Sequence, residues 1–503
     1  MSVSQGIPPV EVRDADPSEL GRLTEAIERL LPAIEKFREY AEPHDVARER
    51  PGWLRRLEGP LPEIGAGLDA VVEDLADVVI PNGSRVGDPG FSAFITTGPT
   101  TSAVAAQLAA ATAGGQRYMV QAFNTLERVG LAWLAELCGI PAGHQGVLCS
   151  GGSTANLVAL GAARQQAYEQ RGVDVSRDGL PDGITGRIYV SEQAHHTIQR
   201  SAGVLGLGRN AVRLIPCDAG QRLDVAALHA ALAEDRRQGV LPVAVVAIAG
   251  STDTGVIDPL DDIAEVAREH GAWFHVDGAY GLIAAASPGF RSRLAAVAGA
   301  DSAIVDPHKW LATGLGCAAA YVRDAGVLLR AFTQGEAAYL EGSFYSDEDT
   351  AAAQYDSIGV PYGDMAVELS APSRGVLVWA VLRELGRAGA AARVERHVGF
   401  AQHVADRVRE HPRLELLLEP ELSVVCFRYA ADDAVNLEIR QRLIRSTRTA
   451  PSTTVVGGRL AIRPCFINPH TELAHVDALV DNVIAIGDEL TRAAHAPRLS
   501  PDG

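Results

Sequence analysis

Lysine is almost missing from this chain of 503 residues. Only Lys36 and Lys309 occur, and the remaining basic residues are arginines. Arginine stays protonated at any working pH, whereas lysine can lose its proton and act as an amine nucleophile. Each of the two lysines is therefore a candidate for chemistry that arginine cannot perform.

Basic charge as a whole is also scarce. The chain has 63 acidic against 45 basic residues, a formal net charge of −18 and an isoelectric point near 5.2. This balance argues against nucleic acid or an anionic membrane as the partner and favours a small-molecule substrate. No run approaches 18 apolar residues, so no membrane span is predicted.

Cysteine is sparse, with six residues and no C-x-x-C pair. We predict free thiols and no structural zinc or other metal site. The first twenty residues lack a basic start and an apolar core, so no secretory signal is expected. Together these features predict a cytoplasmic protein.

Apolar runs and amphipathic helices alternate between residues 104 and 323. This alternation predicts a mostly parallel sheet with helices on both faces. The predicted strands are 146–150, 187–191, 212–217, 242–250, 273–277, 302–306 and 317–323. The helices predicted between and before them are 120–138, 154–170, 194–204, 224–238, 259–270 and 290–298.

The flanking regions read differently. Two N-terminal helices, beginning near Asp16 and near residue 66, precede a turn-rich stretch over 81–103, and residues 326–372 form a long aperiodic stretch. Beyond residue 373 the pattern predicts a smaller α+β domain. Its predicted helices are 373–410, 434–446 and 472–494, and its predicted strands are 415–417, 423–429 and 459–463.

A glycine- and hydroxyl-rich segment, CSGGSTAN at 149–156, lies at a predicted strand-to-helix junction. Glycines let the backbone approach a ligand, and a helix start offers unpaired N–H groups, so the segment suits a phosphate. It matches neither the P-loop nor G-x-G-x-x-G. An ordinary tight turn with a hydroxyl capping the helix remains the alternative.

Two further motifs follow predicted strands. HVDGAYG (275–281) places Asp277 at a strand end, which points into the ligand crevice of a parallel sheet, although a ribose-binding or capping acid is the alternative. DPHKW (306–310) places Lys309 at the next strand end, where it could form a Schiff base rather than lie on the surface.

Two weaker segments belong to the same set. AHHTI (194–198) puts two histidines at a helix start, where a capping role is equally open, and AGSTDTG (249–255) offers hydroxyls or an ordinary turn. Together, a phosphate cradle, a flat side chain, a strand-end acid and a lysine are what a pyridine-ring aldehyde cofactor needs. A nucleotide-binding dehydrogenase does not need the lysine, and its glycine fingerprint is missing.

The chain resembles the group II pyridoxal-phosphate-dependent amino-acid decarboxylases, on HVDGAYG, DPHKW and the upstream AH, from about residue 66 to 490. The resemblance implies an aspartate-aminotransferase-like type I α/β fold with a seven-stranded sheet. It also implies an N-terminal helical arm (1–95), a large cofactor domain (96–372) with a mobile catalytic loop (about 333–360), and a small C-terminal domain (373–503).

The resemblance also implies site roles. Lys309 would bind the cofactor aldehyde, Asp277 would pair with the pyridine nitrogen, and His195 would stack on the ring while His196 turns away. Asp306 stands where relatives often have asparagine, which puts a role for it in phosphate binding in doubt. The other cofactor-binding residues implied are Gly152, Ser153, Thr154, Thr252, Ala279 and His308.

The family's loop tyrosine, the proton donor to Cα, matches Tyr339. The family's substrate residues match Phe94, Thr96 and Arg463. The segment 91–99 and the stretch from Tyr118 to Phe123 are mostly apolar or aromatic, which favours an aromatic or apolar amino acid. Arg117 and Arg128 keep an acidic or other polar substrate open.

The resemblance implies a homodimer with the active site at the subunit interface. Three alternatives remain: an aminotransferase, lyase or aldehyde-forming relative on the same fold; a dehydrogenase-like nucleotide-binding protein; and a catalytically inactive scaffold. Neither nucleic acid nor a membrane is predicted as a partner.

Overall fold

The computed structural model describes residues 21–42, 52–117, 121–333 and 360–495. Its strands are β1 (Phe91–Ser92), β2 (Gln145–Cys149), β3 (Gly186–Ser191), β4 (Val212–Ile215), β5 (Leu241–Ile248), β6 (Trp273–Asp277), β7 (Ser302–Val305), β8 (Ala318–Val322), β9 (Leu414–Leu418), β10 (Cys426–Tyr429), β11 (Ala450–Val456) and β12 (Arg459–Arg463).

The α-helices alternate with these strands through the middle of the chain. They are α1 (Leu23–Arg38), α2 (Leu54–Leu57), α3 (Gly67–Asp74), α4 (Thr101–Thr112), α5 (Gln121–Cys138), α6 (Gly152–Glu169), α7 (Val175–Asp178), α8 (Thr197–Val204), α9 (Val225–Arg237), α10 (Leu260–Glu269), α11 (Pro288–Arg291), α12 (Ala325–Phe332), α13 (Gly375–Glu410), α14 (Asp433–Ser446) and α15 (Leu473–His495). A π-helical segment, Leu75–Val79, continues α3.

The larger sheet has seven strands in the order β2-β8-β7-β6-β5-β3-β4. Strand β8 runs antiparallel to β2 and β7, and the other neighbouring strands are parallel. Every residue of β6, β7 and β8 is buried, as expected for strands covered on both faces. The predicted mostly parallel seven-stranded sheet is confirmed.

Local sequence explains where several helices begin. Asp224 precedes α9 and accepts a hydrogen bond from Ala227 N at 3.0 Å, and Asp432 does the same for α14 from Val435 N at 2.8 Å. Such caps satisfy backbone donors that have no partner inside the helix. In α10 the buried residues recur at helical spacing and face the sheet: Leu260, Ile263, Val266 and Ala267.

The smaller sheet has five strands in the order β1-β11-β12-β10-β9. Strand β1 pairs in parallel with the start of β11, so residues 91–92, at the end of the predicted N-terminal arm, join the C-terminal sheet. Helix α13 links the two sheets, because it packs against α4 and α5 and against β9. Gly386, with φ of 61°, interrupts its helical backbone. Its buried apolar residues from Val378 to Val394 belong to the core of the large sheet and those from Phe400 onward to the core of the small sheet, and the domain boundary at residue 373 stays a prediction.

Three elements differ from the sequence-based expectation. Helix α4, which begins inside the predicted turn region, was not predicted because its alanine-rich sequence has no amphipathic period. Strand β11 was not predicted, because APSTTVV does not alternate and its pairing is long-range. The predicted helix 290–298 is replaced by the single-turn α11 and a 3₁₀ segment, Ala295–Gly299.

Candidate active site

A cavity of about 430 Å³ lies at the carboxyl edge of the large sheet, where β5, β6 and β7 end. Ligands in open α/β sheets bind at this edge. Eight predicted cofactor-binding residues line the cavity: Gly152, Ser153, His195, Thr252, Asp277, Ala279, His308 and Lys309. Residues from five separate parts of the chain therefore meet at one place.

Lys309 belongs to this cavity and is not a surface lysine. Its side chain is 19% exposed, and its Nζ lies 3.2 Å from Oδ2 of the buried Asp306. The Lys309 amide also donates to the Asp306 carbonyl at 3.0 Å, so a tight turn after β7 fixes the lysine. The amine is thus held at the cavity wall beside a carboxylate.

Asp277 is the last residue of β6 and is 8% exposed. Its Oδ2 accepts a hydrogen bond from Asn156 Nδ2 at 3.1 Å, and its Oδ1 accepts one from the Ala279 amide at 3.2 Å. These bonds hold the carboxylate at the cavity wall.

The start of α6 forms a cradle without side chains. Gly151 has a φ of 155°, and a Cβ on Gly152 would lie 2.6 Å from Asp306 Oδ2. Only glycine fits at the second position, and the helix start presents N–H donors to the cavity. Thr154 does not line the cavity, because its hydroxyl pairs with Ser150 Oγ at 2.9 Å.

His195 is an exposed residue at the cavity, and its Nδ1 lies 3.0 Å from Thr197 Oγ1. Partial desolvation lowers the pKa of His195, and the neighbouring His196 and Lys309 lower it further. The imidazole is therefore predominantly neutral at neutral pH. The ring of His196 packs against His195 at 4.1 Å between centroids and does not line the cavity.

His308 has one nitrogen committed. Its Nδ1 lies 2.7 Å from the Cys317 carbonyl, which can only accept a hydrogen bond, so the proton sits on Nδ1. Its Nε2 lies 3.8 Å from Asp306 Oδ2. His308 thus holds a defined orientation at the cavity wall.

The three predicted substrate residues lie outside the lining of this cavity. Phe94 is 62% exposed and has a φ of 57°, and Thr96 is partly buried. Arg463 is 3% exposed, and its guanidinium donates to three backbone carbonyls, those of Phe94, Thr252 and Asp253. Arg463 therefore ties three chain segments together.

Tyr339 lies outside the described residues, as do Tyr118 and Met119. Sequence reasoning gave no role to Asn156 and Thr197, which line the cavity and contact Asp277 and His195. Asn156 is the last residue of the CSGGSTAN segment. Its position one helical turn after Gly152 could have indicated that it lies on the same side of the helix as the cavity.

Comparisons with known proteins agree with this geometry. A family model described as the pyridoxal-dependent decarboxylase conserved domain matches residues 51–430. The chain belongs to this family. The decarboxylase therefore takes pyridoxal 5′-phosphate (PLP) as its cofactor and acts on an amino acid.

Individual relatives have different substrates in their names. Tryptophan decarboxylase 1 of Oryza sativa subsp. japonica is 30% identical over 448 residues, covering 82% of this chain and 83% of that protein. L-2,4-diaminobutyrate decarboxylase of Rhizobium meliloti (strain 1021) is 31% identical over 439 residues, covering 85% and 83%. The crystal structure of Oryza sativa TDC with PLP and tryptamine superposes with a TM-score of 0.84 at 27% identity, covering 95% of this chain and 99% of that one.

Across the described helices, none combines the length and apolar character needed to cross a bilayer.

Proposed function

We propose that this decarboxylase converts an L-amino acid with an aromatic or apolar side chain to its amine and CO₂, with Lys309, Asp277 and His195 as its central residues. The observation that carries the proposal is their convergence on one cavity beside the glycine cradle of α6. The lysine is one of only two in the chain, and it is the one that the fold places at the sheet edge.

The cavity residues fit PLP. The space around a Cβ at Gly151 is open, which leaves room for a phosphate at the helix start, where N–H donors and the helix dipole favour an anion. Asp306 Oδ2 is engaged by Lys309 Nζ, which supports a role for Asp306 in orienting the lysine rather than in binding phosphate.

When bound, PLP supplies an electron-withdrawing ring that accepts the electron pair left on Cα as CO₂ departs. Lys309 Nζ would hold the cofactor aldehyde and would be released for the substrate amine. The Asp277 carboxylate would pair with the ring nitrogen and keep its proton in place. His195, predominantly neutral, would cover one face of the ring. Tyr339 is proposed to deliver the proton to Cα.

The positions of the arginines support an apolar or aromatic substrate. An acidic side chain would need a cation, and no arginine lines the described cavity. Arg463 is committed to backbone carbonyls. Arg117 is fully buried and donates to the carbonyls of Leu148 and Glu368. Leu315, 72% exposed, adds an apolar wall.

A diamino acid is the second candidate substrate. The 31% identity to an L-2,4-diaminobutyrate decarboxylase favours it.

Release of CO₂ from an amino-acid panel tests the substrate class. The panel contains L-tryptophan, L-tyrosine, L-phenylalanine, L-2,4-diaminobutyrate and L-glutamate, with kcat/KM measured for each. We expect the aromatic acids to be preferred. A preference for L-2,4-diaminobutyrate supports the second candidate, and a preference for L-glutamate contradicts both.

We further propose a homodimer with Tyr339 acting across the interface. Apolar side chains on the N-terminal helices and α4 remain exposed in the single chain, which supports a covering second copy. They are Leu23, Leu31, Ile34, Val71, Val104 and Leu108.

A mixing experiment tests the shared site. Lys309→Ala and Tyr339→Phe are each expected to have little activity alone. In a mixed dimer one site combines the intact Lys309 of one copy with the intact Tyr339 of the other, so co-refolding restores activity. Unrestored activity, in a preparation shown by tagged pull-down to contain mixed dimers, contradicts action across the interface.

We also propose a reducing, cytoplasmic location. All six cysteines are free, and five of them are buried, which is typical of proteins that keep their thiols reduced. Fractionation of the source cells, with the protein detected by antibody, tests this location; recovery outside the cytoplasm contradicts it.

A further inference from the structure

A line of buried polar side chains runs from the core to Asp277. Trp273, His275 and Asp277 alternate along β6 and therefore point to the same face of the sheet. Ser302 on β7 is the strand partner of His275. Asn156, on α6, lies across this face. His275 and Ser302 are fully buried, and Asn156 is 2% exposed.

These side chains form a continuous hydrogen-bonded series. Trp273 Nε1 lies 2.7 Å from Ser302 Oγ, and Ser302 Oγ lies 2.8 Å from His275 Nδ1. His275 Nε2 lies 3.0 Å from Asn156 Oδ1. Asn156 Nδ2 completes the series at 3.1 Å from Asp277 Oδ2.

Both ends fix the direction of the series. The indole N–H of Trp273 can only donate, and the carboxylate of Asp277 can only accept. Because Asn156 turns its NH₂ group to Asp277, its oxygen faces His275, and His275 must carry its proton on Nε2. His275 Nδ1 is then an acceptor, and the hydroxyl of Ser302 donates to it. Each of the three inner side chains both accepts and donates.

The same amide reaches the second cofactor-facing residue. Asn156 Nδ2 lies 3.4 Å from Thr197 Oγ1, which lies 3.0 Å from His195 Nδ1. One side chain therefore connects Asp277, proposed to pair with the ring nitrogen, with His195, proposed to cover the ring face.

We propose that Asn156 is a positioning residue that holds Asp277 and His195 in register for the cofactor ring, and that the Nε2–H tautomer of His275 locks the orientation of its amide. This inference rests on the proposed function of Asp277 and His195. It assigns roles to Asn156, Thr197, His275 and Ser302.

The surroundings of His275 agree with a neutral ring. Burial lowers the pKa of His275 to about 4, although the nearby Asp277 opposes the shift. The imidazole therefore stays uncharged throughout the physiological range, so its one proton, on Nε2, is donated to Asn156 and its Nδ1 accepts from Ser302.

Asn156→Leu removes the amide while keeping most of its volume. We expect kcat to fall on the order of 10- to 100-fold at saturating PLP and substrate, as for loss of a hydrogen bond to a charged group. KM should change less. The pH at which the cofactor's long-wavelength absorbance is lost should shift by about one unit, which corresponds to a tenfold change in protonation equilibrium.

Two histidine variants separate positioning from packing. His275→Gln keeps an N–H donor for Asn156 and should stay near wild type, whereas His275→Leu should resemble Asn156→Leu in both kcat and absorbance. The matched control is Asn436→Leu, since Asn436 is an equally buried, hydrogen-bonded amide of the small domain. The Asn436→Leu variant should be less stable than wild type, while its cofactor absorbance stays unchanged.

Absorbance and PLP affinity of the reconstituted apoprotein are read independently of turnover. They therefore test the inference even if the wild type decarboxylates no acid in the panel, a result that would contradict only the proposed function. If both Asn156→Leu and His275→Leu keep the absorbance, PLP affinity and kcat of the wild type, the positioning role is refuted. If Asn156→Leu fails to fold, His275→Gln and His275→Leu give the same comparison.

Discussion

A buried carboxyl group on α5 makes the stability of this protein sensitive to pH. Glu127 is fully buried, and its Oε2 accepts hydrogen bonds from the Gly375 amide at 2.6 Å and the Ser373 hydroxyl at 3.2 Å. It therefore holds the start of α13 against the large domain. Burial raises the pKa of Glu127 from 4.5 to about 7, against the opposing hydrogen bonds and Arg117.

The sign of the effect follows from this shift. A carboxyl group whose pKa is higher in the folded state binds protons more tightly there, so its contribution to stability is full below pH 4.5 and is lost as the pH rises towards 7. For a pKa shift from 4.5 to about 7, the free energy of unfolding falls by about 2.5 kcal/mol between pH 5 and pH 8.

Glu127→Gln removes the titration and keeps an oxygen that can accept from Gly375. We expect the free energy of unfolding of the variant, relative to that of the wild type, to rise by about 2.5 kcal/mol between pH 5 and pH 8. Urea unfolding followed by circular dichroism at pH 5, 6, 7 and 8 measures this difference. Glu136→Gln is the matched control, because Glu136 lies on the same helix with its side chain 69% exposed.

The pH dependence of the stability difference tests whether Glu127 titrates in this range. A stability difference between wild type and Glu127→Gln that stays constant from pH 5 to pH 8 would show that Glu127 does not titrate in this range. A rise of the same size in Glu136→Gln would assign the effect to general charge instead of burial.

Three other changes probe the site and the domain contact. Lys309→Ala should abolish the yellow Schiff-base absorbance after incubation with PLP, and persistent colour would remove Lys309 from its role. Gly152→Ala should weaken PLP binding at least tenfold by fluorescence titration, because the new methyl group meets Asp306; unchanged affinity would place the phosphate elsewhere. Glu421 accepts hydrogen bonds from Arg222 and Arg293 of the large domain, and both arginines are over a third exposed. Glu421→Ala should therefore cost about 1 kcal/mol by urea unfolding, less at high salt, and a salt-independent loss would contradict the ion-pair account.

Much of the site was predictable because its residues follow local signals. Asp277 stands directly after an apolar run and Lys309 lies in the turn that follows the next one, and the glycines of 149–156 stand before a clear helix. Parallel strands bring their carboxyl ends to one edge, so these motifs were expected to meet. The comparisons confirm the family and its cofactor, and the individual roles stay proposals.

Long-range pairing was not predictable in the same way. Strand β11 has little alternation, and its place between β1 and β12 depends on chain segments about 360 residues apart in one pairing. Arg463 matched a substrate residue by its sequence position, yet three carbonyl groups from other segments engage its guanidinium. Hydrogen-bond partners of this kind are set by the folded chain and leave no local pattern.

The sequence alone determined the layered sheet, the strand-end acid and lysine, and the cofactor class, because period, turn residues and residue chemistry are local properties. Tertiary structure alone decided that Asn156 contacts both His275 and Asp277. Those contacts join residues up to 121 positions apart, and they exist only once burial has removed water as a competing partner.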